Sequence, residues 1–148
     1  MLRSILVGLA AGSRAMTPLA VVTNAARMGQ LPRDSAAPAL LAHPMASVAT
    51  GALALLELAG DKQDKAGDRI VTPAVMVRTL NAALAGAMLA PRHRRWAAAA
   101  VAGTTAAAAT YVSWRIRKAA MDRHSQTATG LIEDAIVVPT AIAAATMR

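Results

Sequence analysis

The 148-residue chain contains no cysteine and no phenylalanine, and only 2% of its residues are aromatic. The lack of cysteine excludes disulfides and thiolate metal sites and leaves the redox compartment unmarked. Scarce aromatics remove the stacking platform that single-stranded nucleic acid needs. Acidic residues are also few, eight against sixteen Lys and Arg, for a net charge of +8. A basic balance of this kind raises the question of nucleic-acid binding. The charges are instead clustered between apolar runs, at Arg92, Arg94 and Arg95 and at Arg115, Arg117, Lys118 and Arg123. Stop-transfer flanks and contacts to anionic lipid account for such clusters better than a duplex footprint does, so no nucleic-acid partner is expected.

Hydrophobic residues make up 55% of the chain and mean hydropathy is +0.40, but most of that apolar count is alanine. A soluble helical domain of this length needs bulky side chains to offset chain entropy. In a bilayer, small residues let helix backbones approach closely while lipid covers the outside. The composition therefore points to lipid.

Five apolar stretches approach the roughly 20 residues needed to cross a membrane. They are Ile5 to Ala26 (interrupted by Arg14), Ala36 to Leu58, Ile70 to Ala90, Ala97 to Ser113 and Ala128 to Met147. The fourth carries no charge and lies between Trp96 and Trp114, whose separation along a helix is ~27 Å, the spacing of an aromatic belt. It is the strongest single span. The opening residues resemble a short signal peptide, but the apolar pattern resumes after Arg14, and a retained first helix is expected. The expected fold is an all-α polytopic membrane bundle of about five helices in one domain, residues 1–148, with the first and last helices open to being broken or re-entrant. If all five stretches span, eight basic residues, including Arg3, fall on the N-terminal side and six, including Arg27, on the other. That is a narrow bias under the positive-inside rule.

An ionisable residue inside a membrane helix is by default a functional candidate. Arg14 is the clearest, flanked by Ser13, Thr17 and Pro18, and Pro18 is expected to kink the first helix. Arg78 lies within the third stretch, beside Asn81. Glu57 and Asp61, four residues apart, share a face if the second helix continues through Gly60. Glu133 and Asp134 are adjacent and point ~100° apart, so only one is expected to face a given cavity. Arg14, Glu57, Asp61, Arg78, Glu133 and Asp134 are the candidate substrate- or ion-binding residues. Each has a plainer reading: paired charges that tie helices together, or carboxylates placed at helix ends. His43 before Pro44 leaves metal ligation open, and no cofactor is expected. Hydrolase elbows, phosphate-binding loops and HExxH motifs are absent from the sequence, so no enzymatic activity is expected. Gly8-x-x-x-Gly12 and the series Ala99, Gly103, Ala107 mark seams for close helix contact. Arg14-x-x-Thr17-Pro18 recurs as Arg69-x-x-Thr72-Pro73, the kind of echo a duplicated helix unit leaves.

At Gly12-Ser13-Arg14-Ala15 with Pro18, at Glu57-Leu-Ala-Gly-Asp61-Lys62 and at Glu133-Asp134-Ala135, the chain resembles the bacterial membrane family called domain of unknown function 4126. The resemblance implies a small polytopic helical protein of the bacterial inner membrane and carries no activity or ligand with it. Two functions are expected from the residues. One is a channel- or transporter-like protein with a charged intramembrane site. The other is an accessory membrane protein whose buried Arg–Glu/Asp pairs only fix helix packing. The expected partners are the lipid bilayer, with anionic lipid contacts, and further copies of the chain.

Overall fold

The computed structural model describes residues 1–60, 70–121 and 123–147. Among them lie six α-helices and no strand: α1 (Leu2–Ser13), α2 (Thr17–Arg27), α3 (Pro44–Gly60), α4 (Thr72–Met88), α5 (Arg95–Met121) and α6 (Gln126–Thr146). Prolines set three of the helix starts. Pro18 and Pro73 sit in the first turns of α2 and α4, and Pro44 opens α3. In a first turn the missing N–H has no intrahelical partner to lose, and the fixed φ suits the helix. Pro18 therefore begins a helix and does not kink one, which corrects the expectation for the first stretch. The Thr17-Pro18 and Thr72-Pro73 echo marks two helix starts of the same kind, while Arg69 lies outside the described residues.

The first stretch is not one continuous helix. Arg14 has an extended backbone (φ −136°, ψ 109°), and the chain turns back there. Val21 of α2 packs against a cluster formed by Ala10 of α1 with Val137 and Ala141. Met28 to Arg33, beyond the end of α2, share a cavity with Arg3 at the start of α1. The two helices, 12 and 11 residues long, therefore form a helical hairpin with its tip at residues 14–16. Each arm is ~17–18 Å long, short of a ~30 Å hydrocarbon core. The hairpin puts Arg3 and Arg33 at the same end of the bundle.

The other helices pack around the hairpin in alternating directions. α5 runs parallel to α1, because Gly8 meets Ala102 and Thr105 while Gly12 meets Ala109 and Thr110. A Cβ on Gly8 would lie 2.6 Å from the Ala102 carbonyl oxygen, so only glycine permits this approach. α4 runs antiparallel to α5, with Gly86 against Ala98 and Ala102. α6 runs antiparallel to α1, pairing Ala10 with Val137 and Ala141. α3 lies on α2, joined by Thr23 and Thr50, whose hydroxyls are 2.7 Å apart. The expected small-residue seams at Gly8, Gly12 and Gly103 thus lie where helices meet.

The second stretch is helical only from Pro44. Pro32, Pro38 and Pro44 hold the preceding segment in loop and a single 3₁₀ turn at Ala39–Ala42. The fourth stretch extends past its expected end at Ser113 to Met121. The last is continuous through Pro139. By length and composition, the helix among the described residues that is long and apolar enough to cross a membrane is α6, and α1 and α3 are shorter apolar helices. The tryptophan-bracketed α5, expected to be the strongest span, does not meet that standard, because its threonines, Gly103, Tyr111 and Ser113 dilute its apolarity.

The interior is small and partly charged, whereas the exterior is bulky and apolar. The core consists of Val7, Ala11, Val22, Ala25, Ala82, Ala85, Ala102, Ala106, Ala144 and their neighbours. Arg14, 1% exposed, is the largest fully buried side chain, whereas Leu56 (68%) and Ile136 (64%) face outward.

Candidate functional site

The turn at residues 14–16 breaks the helical ladder and leaves backbone amides at the start of α2 without helical acceptors. Met16, the N-cap of α2, makes no side-chain cap. Glu57, reaching across from α3, supplies it. Its Oε1 accepts from the Ala15 amide at 2.7 Å and its Oε2 from the Met16 amide at 2.9 Å. A carboxylate here also faces the positive end of the α2 dipole. Asn81 of α4 closes the turn from the opposite side, donating through Nδ2 to the Ala15 carbonyl at 3.2 Å. The hairpin tip is thus gripped by side chains from two other helices.

Arg14 points into the bundle toward α6. Its Nε donates to Asp134 Oδ1 at 2.8 Å, and its Nη2 lies 2.6 Å from the same oxygen. Nη1 reaches the Ser13 carbonyl at 3.4 Å. Glu133 joins the cluster through Oε2, which is 3.8 Å from Arg14 Nη2 and accepts from Arg117 Nη1 of α5 at 3.1 Å. Both neighbouring carboxylates therefore meet Arg14, contrary to the expectation that only one of an adjacent pair would face the site. The long Glu133 and Arg14 side chains close the gap that the helical turn opens between successive residues. Asp134 lies eight residues into α6, ~12 Å from its start, so the cluster is well inside the bundle.

Of the six residues expected at a site, Arg14, Glu57, Glu133 and Asp134 come together around the hairpin tip. Arg78 is buried on α4, one turn before Asn81. Asp61 lies outside the described residues. His43 stands at the start of α3, with Nδ1 accepting from the Met45 amide at 3.2 Å, three to four helical turns before Glu57. Among the described residues no group of three or more His, Cys, Asp or Glu is placed to hold a metal.

Sequence reasoning did not place Arg117, Asn81 or the two tip amides in the site. In the sequence Arg117 reads as one of a basic cluster that flanks an apolar run. The signal for it lay in the small-residue period of α5: Ala102, Ala106, Thr110 and Ser113 step at three and four residues, and Arg117 is the next position on that face. The amides could not be found from residue type, since backbone donors are exposed only by the turn.

Arginines facing carboxylates, with a broken helical element between them, form a site that can hold a charge or exchange partners within a closed bundle. No curated protein and no solved structure matches the chain. The chain belongs to the family described as domain of unknown function (DUF4126), whose model matches residues 1–147.

Proposed function

We propose that the protein is a multi-pass membrane protein of channel- or transporter-like type, in which the α1–α2 hairpin tip carries the charged site. The observation that carries this reading is the inversion of polarity. Arg14 and its carboxylate partners lie inside, and Leu, Ile, Val and Met side chains of α3, α4, α5 and α6 lie outside. In water this arrangement would expose a large apolar surface while burying charges at a cost of several kcal/mol each. In a bilayer the outer surface is solvated by lipid, and the inner charges mark a functional site. Two further features support it. Trp96 and Trp114, near the two ends of the α5 apolar run, each lie under a cation, Arg95 at 5.0 Å and Lys118 at 5.1 Å, as anchoring residues at opposite interfaces would. A short re-entrant hairpin with unwound backbone at its tip is tolerated at membrane depth only where protein or a water-filled cavity surrounds it.

A second reading is favoured by the closeness of the pairing. Arg14 is almost wholly buried and bonded to Asp134, as expected if the cluster only fastens the hairpin to α6. The two readings part on substitution. Membrane placement is tested first by alkaline carbonate extraction, and release of the chain into the wash would overturn it. Asp134→Asn and Glu57→Gln then keep side-chain shape while removing charge. Transport expects at least one of them to leave folded yield intact and abolish a solute-dependent growth or uptake phenotype. A purely structural cluster expects yield to fall and no phenotype to appear in variants that fold.

A further inference from the structure

The end of the bundle where α1 and α5 begin holds a cavity that the hairpin site does not use. It has a volume of about 500 Å³ and is lined by Arg3, Ser4, Leu89, His93, Arg94 and Ala98 among others, with no carboxylate side chain among its described lining residues. A second, larger cavity of about 760 Å³ lies beside it, shares Arg3 with it, and adds Gln30 and Arg33.

Three features make the smaller cavity an anion site. First, the opening turns of two helices meet there, Leu2 to Ser4 of α1 and Ala98 of α5. The start of α1 carries no side-chain cap, so its first-turn amides are available to an external acceptor. Second, two arginines line it, Arg94 and Arg3, with Arg3 braced by Nη1 to the Leu89 carbonyl and Nη2 to the Ala145 carbonyl, each at 3.5 Å. Third, Ser4 is only 3% exposed as a residue, yet it lines the cavity, and its hydroxyl makes no hydrogen bond among the described residues. The hydroxyl is therefore open to the cavity alone and free to donate to a ligand oxygen there.

A track on the outer face of α1 distinguishes the source of the anion. Leu2, Ile5 and Leu9 are all exposed and are spaced to lie along one side of the helix, starting at the cavity rim. A free anion has no use for such a track, whereas an acyl chain joined to a headgroup would lie along it.

We propose that this cavity binds the phosphate of an anionic phospholipid headgroup. Ser4 Oγ and the first-turn amides of α1 donate to the phosphate oxygens, Arg94 and Arg3 supply the countercharge, and the acyl chains follow Leu2, Ile5 and Leu9. The lipid origin of the phosphate rests on the membrane reading above, which carbonate extraction tests separately, and it is independent of whether the hairpin site moves a solute.

The test uses the full chain purified in a non-ionic detergent and titrated with short-chain phosphatidylglycerol, short-chain phosphatidylcholine or inorganic phosphate. Bound adducts are counted by native mass spectrometry. Phosphatidylglycerol is expected to bind at least tenfold more tightly than either of the others. Ser4→Ala and Arg94→Gln are each expected to weaken it at least fivefold with the melting temperature unchanged. Arg94 is exposed and braces no helix, so its variant keeps the test decisive even where Ser4→Ala disturbs packing. Equal binding of the two lipids, or phosphatidylglycerol binding that neither substitution weakens, would overturn the proposal. Inorganic phosphate binding as tightly as the lipid would overturn the lipid assignment in favour of a soluble anion.

Discussion

The carboxylate of Glu57 takes both free amides of the hairpin tip, Ala15 at 2.7 Å and Met16 at 2.9 Å, so α3 holds the start of α2 through a single side chain. Hydrogen bonds to a charged group contribute about 1.5–3 kcal/mol each. Glu57→Ala leaves two donors without their acceptor, and a loss of about 3 kcal/mol is expected. Glu57→Gln retains one acceptor oxygen and should cost about half as much. Denaturant titration of both variants in micelles reads the difference, and equal losses would show that the oxygen kept by glutamine contributes nothing.

The Arg14–Asp134 pair predicts strong non-additivity. Removing one partner of a buried ion pair leaves an uncompensated charge and costs about 3–5 kcal/mol. Arg14→Met and Asp134→Leu should each fall in that range. The double variant should be markedly more stable than the sum of the two predicts, because no charge is left stranded. A double-mutant cycle on folded yield and melting checks it, and additive losses would mean the two side chains do not act together.

Two glycines in helices should respond oppositely to alanine. A Cβ on Gly12 would run into Ala109 and Thr110 of α5, while one on Gly51 meets nothing within 4 Å. Gly12→Ala is expected to destabilise by about 1–3 kcal/mol through overpacking. Gly51→Ala should be neutral or stabilising by up to about 1 kcal/mol from helix propensity. Melting curves of the two variants, taken side by side, settle the sign of each.

The hairpin makes a topological prediction that a spanning first helix does not. The ends of α1 and α2 lie at one end of the bundle, as Arg3 and Gln30 share a cavity. Because the chain has no native cysteine, single-cysteine labelling reports position without background. Cysteines at Leu2 and Gln30 should label from the same side of the membrane, and one at Arg123, beyond the far end of α5, from the other. Labelling of Leu2 and Gln30 from opposite faces would replace the hairpin with a crossing helix.

Much of this protein follows from residue types taken locally. Alanine-rich apolar runs specify helices and supply too little bulk for a large aqueous core. Proline in a first turn starts α2, α3 and α4, and Gly8 and Gly12 lie where α1 must touch α5. Arg14, Glu57, Glu133 and Asp134 stand out because charge within an apolar run needs a partner. These are short-range or compositional signals, and a sequence carries them directly.

What the tertiary structure decided is direction and pairing. A largely apolar stretch of 22 residues that includes one arginine is compatible with a single crossing or with two short helices doubled back. The choice depends on whether distant groups exist to satisfy the exposed amides, and Glu57 and Asn81 provide them from 42 and 66 residues away. Arg117 and Glu133 likewise meet only because α5 continues past Ser113 and α6 returns beside it. Sequence alone determined that charges are buried among small residues and apolar surface. The folded chain alone determined that they meet at the tip of a hairpin, since long-range contacts, not local preference, set which carboxylate reaches which donor.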